Sequence, residues 1–217
     1  MKSIGSSDEY NILVMELLGK SLEDIFTSLP GKKMSVECVC NIGVQMVKVL
    51  KHIHEKSIIH RDIKPDNFTV GKKPIKENVL YLIDFGLAKK YRSMKTKEHY
   101  PMEDRKKLVG TARYASINAL KGLDQSRRDD LEAVGYVIMY FIRGNLPWQG
   151  LKLKSNEDRY KKILDKKKEV STEELCAECP KVFYEYVKYT KKLGFNEEPK
   201  YDLFKNKFVD YVVNIKK

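Results

Sequence analysis

The sequence predicts a mainly helical fold with a few short β-strands, and three observations support that prediction. Apolar residues recur at three- and four-residue steps over residues 36–50, which is the period of an amphipathic helix. Leu131 to Ile142 is apolar on nearly every face and predicts a central buried helix. Phe68 to Val70 and Val79 to Ile83 are short β-prone runs, and the turn signal Gly71 to Pro74 between them predicts a hairpin.

The composition is that of an ordinary globular protein. Of 217 residues, 42% are hydrophobic and 33% are charged, a balance that excludes a largely disordered chain. The longest apolar run, Ala133 to Ile142, has ten residues, whereas a membrane helix needs about 18. Only four cysteines occur, which excludes a disulfide scaffold and fits a reducing compartment. Because the first residues contain no apolar signal region, we expect an intracellular protein, in the cytoplasm or the nucleus.

Short local signals predict the first elements. Asn11 to Met15 is an apolar run that predicts a buried strand. Ser21 to Asp24 has the pattern of a capping box and begins a short helix that ends before Pro30. Ser35 is the expected cap of the long amphipathic helix, which we extend to about Glu55.

Helical signals continue after the central helix. Arg143 and Gly144 end that helix, with a cation in its last turn and a glycine at its cap. We expect a further helix over Glu157 to Lys168. A short helix over Thr172 to Cys176 is capped by Ser171.

Two more helices complete the prediction. One is bracketed by Pro180 and Gly194, which favour the beginning and the end of a helix. The last helix has an apolar face formed by Tyr201, Phe204, Phe208, Tyr211 and Val212. No linker divides the chain, so these elements are expected to form one unit.

The excess of positive charge is concentrated in two segments. The chain has 42 Lys and Arg against 30 Asp and Glu, a formal net charge of +12. Lys89 to Lys107 and Leu151 to Lys168 each hold eight basic and three acidic residues. Such segments are typical of a nucleic-acid surface, of a groove for acidic or phosphorylated peptides, or of solvated faces. Charge alone leaves these three alternatives open.

One eight-residue motif stands out, His60-Arg-Asp-Ile-Lys-Pro-Asp-Asn67, which lies between a predicted helix and a predicted strand. Asp84-Phe-Gly86 follows the predicted hairpin, 22 residues after Asp62. Gly110-Thr111 lies further downstream. In these motifs and their order the chain resembles the protein kinases. The resemblance implies the C-terminal lobe of the protein-kinase fold, an α+β arrangement.

The chain resembles one kinase family in particular, the casein kinase 1 family. Ser116-Ile-Asn118 stands where most kinases carry Ala-Pro-Glu, and that replacement is a mark of this family. The resemblance extends from about Tyr10 to about Tyr211. The other segments that support it are Met15-Glu-Leu-Leu-Gly19, Ser21-Leu-Glu-Asp24, Leu87-Ala-Lys-Lys-Tyr91, Gly110-Thr-Ala-Arg-Tyr114, Gln125-Ser-Arg-Arg-Asp-Asp-Leu-Glu132 and Leu146-Pro-Trp-Gln-Gly150.

The resemblance implies a catalytic set suited to phosphoryl transfer, a reaction that depends on positioning and on neutralised charge. Asp62 would accept the proton of the attacking hydroxyl, and Lys64 would meet the transferring phosphate. Asn67 and Asp84 are oxygen donors of the kind that Mg²⁺ prefers. Thr111 would hydrogen-bond Asp62 and Lys64. The cofactors implied are ATP and Mg²⁺.

The resemblance also implies the residues around the nucleotide. Met15 matches the gatekeeper of the family, and the backbone of Glu16 and Leu18 matches the hinge that meets adenine. Asp24 lies where a polar residue approaches the ribose, and Ile83 would line the pocket. At the floor of the pocket Thr69 replaces the usual leucine, and we expect this change to weaken nucleotide binding.

The function implied is a serine/threonine kinase that favours acidic or phosphoprimed protein substrates. Arg113, Gly150 and Arg159 match the family's pocket for the priming phosphate, although the last position is usually lysine. Arginine suits phosphate through its planar fork of donors. Asp130 matches a buried carboxylate that braces the catalytic loop. The two basic segments would then flank the peptide groove.

Some parts of a complete kinase domain are not found in the sequence. It contains no Gly-x-Gly-x-x-Gly, no Val-Ala-Ile-Lys and no partner helix glutamate, which in kinases cover and align the phosphates. We therefore expect residues 1–217 to be a partial kinase domain, either a fragment or a naturally lobe-less protein. A second hypothesis is a catalytically weak or inactive module that binds phosphorylated or acidic peptides. We expect no membrane partner and, since the chain lacks a recognised nucleic-acid motif, no nucleic-acid partner. Oligomeric state stays open.

Overall fold

The computed structural model describes residues 2–72, 74–104, 107–151 and 156–215, with the backbone alone for 156–158. Within these ranges the chain forms eight helices and six short strands. The predicted mainly helical architecture with a few short strands is therefore confirmed. Within the two basic segments, residues 105–106 and 152–155 lie outside the described part of the chain.

The elements are named in chain order. The helices are α1 Leu22–Ser28, α2 Val36–Glu55, α3 Ile117–Leu120, α4 Arg127–Arg143, α5 Asn156–Glu169, α6 Thr172–Leu175, α7 Lys181–Thr190 and α8 Tyr201–Ile215. The strands are β1 Ser3–Ser6, β2 Asn11–Val14, β3 Ile58–Ile59, β4 Phe68–Val70, β5 Leu80–Leu82 and β6 Lys89–Lys90. The predicted bounds of α1, α2, α5 and α6 agree with the structure to within about two residues. In contrast, α4 begins four residues before the predicted Leu131, α7 ends at Thr190 rather than just before Gly194, and α3 was not predicted.

Helix α2 packs against α8 along its apolar stripe. Ser35 caps the helix, because its hydroxyl accepts the backbone N–H of Cys38 at 3.2 Å. Gly43 lies on the stripe, and a Cβ added there would stand 3.1 Å from the ring of Phe208 on α8. The missing side chain therefore allows the two helices to approach closely. This contact joins the second helix of the chain to the last one.

Helix α4 is the centre of the core, as its all-round apolar sequence predicts. Every residue from Asp129 to Phe141 is buried, and the helix packs against α2 and α7. At its beginning the Asp129 carboxylate accepts the backbone N–H of Ser126 at 2.7 Å. It ends at Gly144, which adopts the left-handed conformation with φ of 88°. Polar groups at the beginning of α4 consequently have a fixed position.

The strands form three separate two-stranded pairs. β4 and β5 are an antiparallel hairpin in which Phe68 faces Leu82, as predicted. β3 pairs with β6, so that the segment before the His60-Arg-Asp62 motif lies beside the segment after Asp84-Phe-Gly86. These pairings bring the two sequence motifs to one edge of the helical body.

The prediction of a buried strand at Asn11–Met15 is wrong as regards burial. Strand β2 is present, but all of its residues are exposed, and the Ile12 side chain is 52% exposed. β2 pairs with β1 in a two-stranded ribbon. Both faces of this ribbon are open, because none of the described helices covers it. An apolar run thus predicted a strand correctly and its environment incorrectly.

Candidate active site

The loop that carries Asp62 is attached to the beginning of α4. The Asp130 carboxylate, 2% exposed, accepts the backbone N–H groups of His60 and Arg61, each at 2.8 Å. These two bonds hold Arg61 in the left-handed region, with φ of 69°. The bracing role that the resemblance implied for Asp130 thus matches its contacts. The loop is fixed immediately before its reactive carboxylate.

A second layer of buried groups holds Asp130 itself. His54 on α2 lies between Asp130 and Tyr201, with its Nε2 2.9 Å from Asp130 Oδ2 and its Nδ1 2.7 Å from the Tyr201 hydroxyl. Burial lowers the pKa of His54, so the ring is neutral at neutral pH. The neutral tautomer that satisfies both contacts carries its proton on Nε2 and accepts from Tyr201 at Nδ1.

The pKa of Asp130 responds to the same contacts. Burial alone would raise the pKa of this carboxyl, but the hydrogen bond from His54 and the backbone N–H of His60 lower it below its ordinary value. Asp130 therefore stays ionised, and its charge is shared among three donors. The chain of hydrogen bonds from Tyr201 through His54 and Asp130 to the loop connects three helices, α8, α2 and α4, to the site.

The Asp62 carboxylate is held from three directions. Its Oδ1 accepts the hydroxyl of Thr111 at 2.7 Å and the Thr111 backbone N–H at 2.9 Å. Its Oδ2 lies 2.7 Å from the Lys64 ammonium. The Asn67 amide donates to the Asp62 carbonyl at 2.9 Å, and Lys64 reaches the Thr111 hydroxyl at 3.5 Å. The structure thus brings four of the five predicted catalytic residues into direct contact.

Gly110 makes this contact possible. It adopts φ of 98°, and a Cβ at this position would stand 2.3 Å from the carbonyl oxygen of Arg61. Such a distance is not compatible with any side chain. The chain before Thr111 can therefore approach the catalytic loop only because residue 110 is a glycine.

Asp84, the fifth predicted residue, follows β5 in a turn beside the loop. The backbone N–H of Ile83 donates to the Asn67 carbonyl at 2.9 Å, and the Phe85 ring packs edge-on against His60 at 5.1 Å between ring centroids. Both neighbours of Asp84 thus contact the catalytic loop. Asp84 itself is exposed, has φ of 62°, and accepts the Gly86 N–H at 3.2 Å.

The predicted nucleotide-binding residues divide into two groups. Asp24 lies on α1, Thr69 on β4, and Ile83 directly after β5. Together α1 and the β4–β5 hairpin form the predicted floor of the nucleotide pocket, and Ser21 forms a β-bridge to Thr69 there. The Asp24 carboxylate also completes the predicted capping box, because it accepts the Ser21 N–H at 3.0 Å. The Thr69 side chain is buried, and its hydroxyl has no hydrogen-bond partner among the described residues.

The second group lies on the segment between β2 and α1. Met15 is 57% exposed, and Leu18 is half-buried. The Glu16 carboxylate forms an ion pair with Lys76 at 3.1 Å. The segment is fixed at its end, where the Gly19 N–H donates to the Val70 carbonyl at 2.8 Å. Before Gly19 the segment forms an open edge of the site and is not part of the surface formed by α1 and the hairpin.

The three residues predicted for the phosphate pocket line one cavity. Its volume is about 280 Å³, and its walls are formed by Arg113, Trp148, Gln149, Gly150, Leu151, Arg159 and Ile163. The indole N–H of Trp148 donates to the Arg113 carbonyl at 2.7 Å. Two arginines from different parts of the chain thus line one concave site. This arrangement suits a small anion such as phosphate.

Sequence reasoning missed two buried polar residues near these sites. His54 was not assigned to the site, yet its ring bonds Asp130; its spacing from Val47 and Leu50 on the apolar stripe was the available signal. Lys167 was counted within a basic segment, yet its side chain is 1% exposed. Lys167 follows the buried Ile163 by four residues, and that spacing places both on one helix face.

Other chemistry in the described chain is limited. No helix in the described ranges is long and apolar enough to cross a membrane. The four cysteines are free thiols. Burial raises the pKa of Cys40 to about 11 and that of Cys176 to about 12, so both are neutral thiols. Neither Cys40 nor Cys176 belongs to the candidate active site.

Comparisons with known proteins agree with this geometry. The family model described as Protein kinase domain matches residues 1–198. The chain is 50% identical over 207 residues to casein kinase I homolog 2 of Schizosaccharomyces pombe, covering 95% of this chain and 47% of that protein. It is 49% identical over 212 residues to casein kinase I homolog 3 of the same yeast, covering 97% and 48%. Homolog 1 is 49% identical over 205 residues, covering 94% and 46%.

The matched domain defines the class of protein first, and the yeast relatives then define the family within it. The chain belongs to the protein kinases and, among them, to the casein kinase 1 family. It spans about half the length of the curated relatives that it matches.

Proposed function

We propose that this chain supplies the hinge and the C-terminal lobe of a serine/threonine kinase that transfers the γ-phosphoryl group of ATP. The observation that carries the proposal is the Asp62 carboxylate, held by Thr111 and Lys64 at 2.7 Å each. A carboxylate in this setting can accept the proton of an incoming hydroxyl as that oxygen attacks phosphorus. Lys64, beside it, neutralises charge on the transferred group.

The residues present fit a divalent cation. Asn67 directs its amide nitrogen to the Asp62 carbonyl, which leaves its Oδ1 as the remaining acceptor. The Asp84 carboxylate is exposed in the adjacent turn. Both groups offer hard oxygen donors, which is what Mg²⁺ requires. When bound, the cation would neutralise the phosphates of ATP; Asn67 and Asp84 would hold it.

We further propose that the substrates are acidic or phosphoprimed proteins. Arg113, two residues after Thr111, and Arg159, on α5, line one cavity of about 280 Å³. A priming phosphate bound there would place the rest of the peptide toward Asp62. The excess of basic residues in the two segments around this region supports the same class of substrate. We place such a protein in the cytoplasm or the nucleus.

Phosphate incorporation tests the proposal. The chain is joined behind the N-terminal lobe of a casein kinase 1 relative and supplied with Mg²⁺, γ-labelled ATP, and an acidic peptide with or without one phosphoserine. We expect incorporation into both peptides, with the phosphorylated peptide favoured. Arg113→Gln with Arg159→Gln should remove that preference. No incorporation into either peptide would contradict the kinase assignment, and equal use of both peptides would contradict the substrate class.

A second candidate function rests on the same cavity alone. Because the glycine-rich loop and the strand lysine are not among the 217 residues, the chain by itself could act as a module that binds phosphorylated or acidic peptides. We expect little or no turnover from the chain alone. Fluorescence titration with the same peptide pair measures binding directly. A chain that binds neither peptide would exclude this second function.

A further inference from the structure

A buried amine lies behind the wall of the anion cavity. The Lys167 side chain, on α5, is 1% exposed, although lysine is among the residues least often buried. Its Nζ donates to the carbonyl oxygens of Ala112 at 3.2 Å and Ala115 at 2.5 Å. It also lies 4.2 Å from the ring centre of Tyr136 and 4.8 Å from that of Trp148. Burial lowers the pKa of this amine well below its ordinary value.

The segment that Lys167 contacts has little regular structure of its own. Residues 111–116 precede α3, and buried side chains bond much of their main chain. The Thr111 N–H donates to Asp62, and the Arg113 carbonyl accepts the indole of Trp148. Lys167 contributes two of these bonds, one on each side of Arg113. A single amine thus spans the turn that presents the guanidinium.

The same helix carries the other half of the cavity. Arg159 and Ile163 line the cavity from α5, about two helical turns and one helical turn before Lys167, respectively. Lys167 therefore connects the helix that bears Arg159 to the turn that bears Arg113. Without this link, the turn that bears Arg113 would lose two of the hydrogen bonds that hold it, and it would shift more readily relative to Arg159. The Thr111 end of the turn would shift relative to Asp62 as well.

We propose that Lys167 is a positioning residue for substrate selection: its amine, through two hydrogen bonds, fixes residues 112–115 against α5, so that Arg113 and Arg159 line one anion site while Thr111 stays on Asp62. The proposal rests on the proposed preference for phosphorylated substrates. Lys167 itself does not contact the anion, since it is enclosed by two carbonyls and two rings. Its role is thus distinct from that of the two arginines.

The first test needs no substrate. The 217-residue chain is compared with Lys167→Met, which keeps a long unbranched side chain without the charge, and with Lys168→Met as the matched control at an exposed position of the same helix. Hydrogen exchange should be roughly tenfold faster at amides 112–116 in Lys167→Met, and unchanged within α2. Trp148 is the only tryptophan of the chain, so its emission should report the loss of the neighbouring amine.

The second test measures selectivity. Binding of the acidic peptide with one phosphoserine, and of its unphosphorylated twin, is titrated against all three proteins. We expect the preference for phosphate to fall at least fivefold in Lys167→Met and to be unchanged in Lys168→Met, roughly a loss of 1 kcal/mol of discrimination. Thermal unfolding of each protein verifies that the folded fraction is compared.

The outcomes separate the two proposals. If exchange at residues 112–116 and the Trp148 emission are the same in Lys167→Met and Lys168→Met, Lys167 does not position this turn. If exchange accelerates but the preference for phosphate is retained, the turn does not set selectivity, and the assignment is again overturned. If the unsubstituted chain shows no preference at all, the proposed substrate class fails, while the exchange comparison still decides whether Lys167 holds the turn.

Discussion

A single carboxylate organises the site at the scale of residues. Both oxygens of Asp62 accept hydrogen bonds, from Thr111 on one side and from Lys64 on the other. The backbone N–H of Thr111 adds a third donor, and Asn67 holds the carbonyl of the same residue. Because Thr111 binds one carboxylate oxygen and Lys64 binds the other, the carboxylate is held in one orientation. That orientation is what proton transfer from a substrate hydroxyl requires.

Gly110→Ala should displace Thr111 from Asp62. The added Cβ would stand 2.3 Å from the Arg61 carbonyl, so the chain must move away from the loop. We expect kcat of the chimeric kinase to fall by roughly 10² or more, since misplacement of about 1 Å has that effect. Gly31→Ala is the control, because Gly31 also has a positive φ of 74° but has open space around it. Similar losses in both variants would show that backbone strain, not the contact, is responsible.

Thr69→Leu should strengthen nucleotide binding. The Thr69 hydroxyl is buried without a described partner, and leucine would replace it with apolar surface against adenine. One or two CH₂ equivalents at about 0.8 kcal/mol each correspond to roughly four- to fifteen-fold tighter binding. Titration of the chimera with a fluorescent ATP analogue measures the change. Thr69→Val is the control, because it removes the hydroxyl at nearly constant volume; if Val equals Leu, the extra apolar contact is not the cause.

The sequence predicted the cluster around Asp62 well, because its members stand within a short motif or share a motif order. It did not predict the buried hydrogen bonds that His54 and Lys167 form. Both have helical spacings that place them on apolar faces, but spacing cannot show which distant backbone or carboxylate a buried polar group meets. Those partners, Asp130 for His54 and Ala112 for Lys167, are set by the packing of separate helices.

At the scale of elements, a buried polar chain joins three helices to the catalytic loop. Tyr201 begins α8, His54 lies on α2 and Asp130 lies on α4. Removing one member would leave buried partners unsatisfied, which is costly in an interior of low dielectric constant. The position of the loop therefore depends on how these helices pack.

His54 should make the free energy of unfolding fall in mild acid. Its pKa is lowered by burial, so the unfolded chain binds a proton near the ordinary value of 6.5 while the folded chain does not. Stability is then fully present above that pH and decreases as the pH falls toward the folded pKa, by at most about 1.4 kcal/mol per pH unit. Urea unfolding of the chain between pH 7 and 5 measures this slope, which His54→Gln should reduce.

His99 is the necessary control for that measurement. Burial lowers its pKa as well, so it contributes to the same pH range. His99→Gln should leave the part of the slope due to His54 intact. If His54→Gln has the slope of the unsubstituted chain, His54 is not neutral in the folded state.

Gly43→Ala should loosen the contact between α2 and α8. The new methyl group would press on the Phe208 ring at 3.1 Å, and overpacking of this kind costs about 1–3 kcal/mol. Urea unfolding measures the loss. Combining Gly43→Ala with Phe208→Leu should recover part of it, because leucine leaves room for the methyl group. Additive losses in the double variant would show that the two residues do not meet.

Elements were predicted unequally. Helices α2 and α4 could be predicted, because periodic burial and caps are local properties of the sequence. The exposure of β2 could not, since an apolar run such as Ile12 to Val14 signals a strand but not what covers it. Whether a face is covered depends on residues far away in the chain.

The whole molecule combines a rigid helical body with one edge that carries the chemistry. The core around α4 fixes Asp130, and through it the catalytic loop, while α5 and the turn at Arg113 form the cavity that the two arginines line. Fold class followed from periodicity and composition, whereas the meeting of the two arginines in one cavity followed only from the family resemblance. No local signal joins residues 46 positions apart.

The most direct measurement compares Asp62→Asn with Asp66→Asn in the chimeric kinase. Both substitutions remove one negative charge from the same loop, but Asp66 is exposed, whereas Asp62 is held by Thr111 and Lys64. With Mg-ATP and the phosphoserine peptide, we expect kcat to fall by roughly 10²–10⁴-fold in Asp62→Asn and to change little in Asp66→Asn. Equal turnover by Asp62→Asn and the unsubstituted protein would contradict the assignment of this carboxylate.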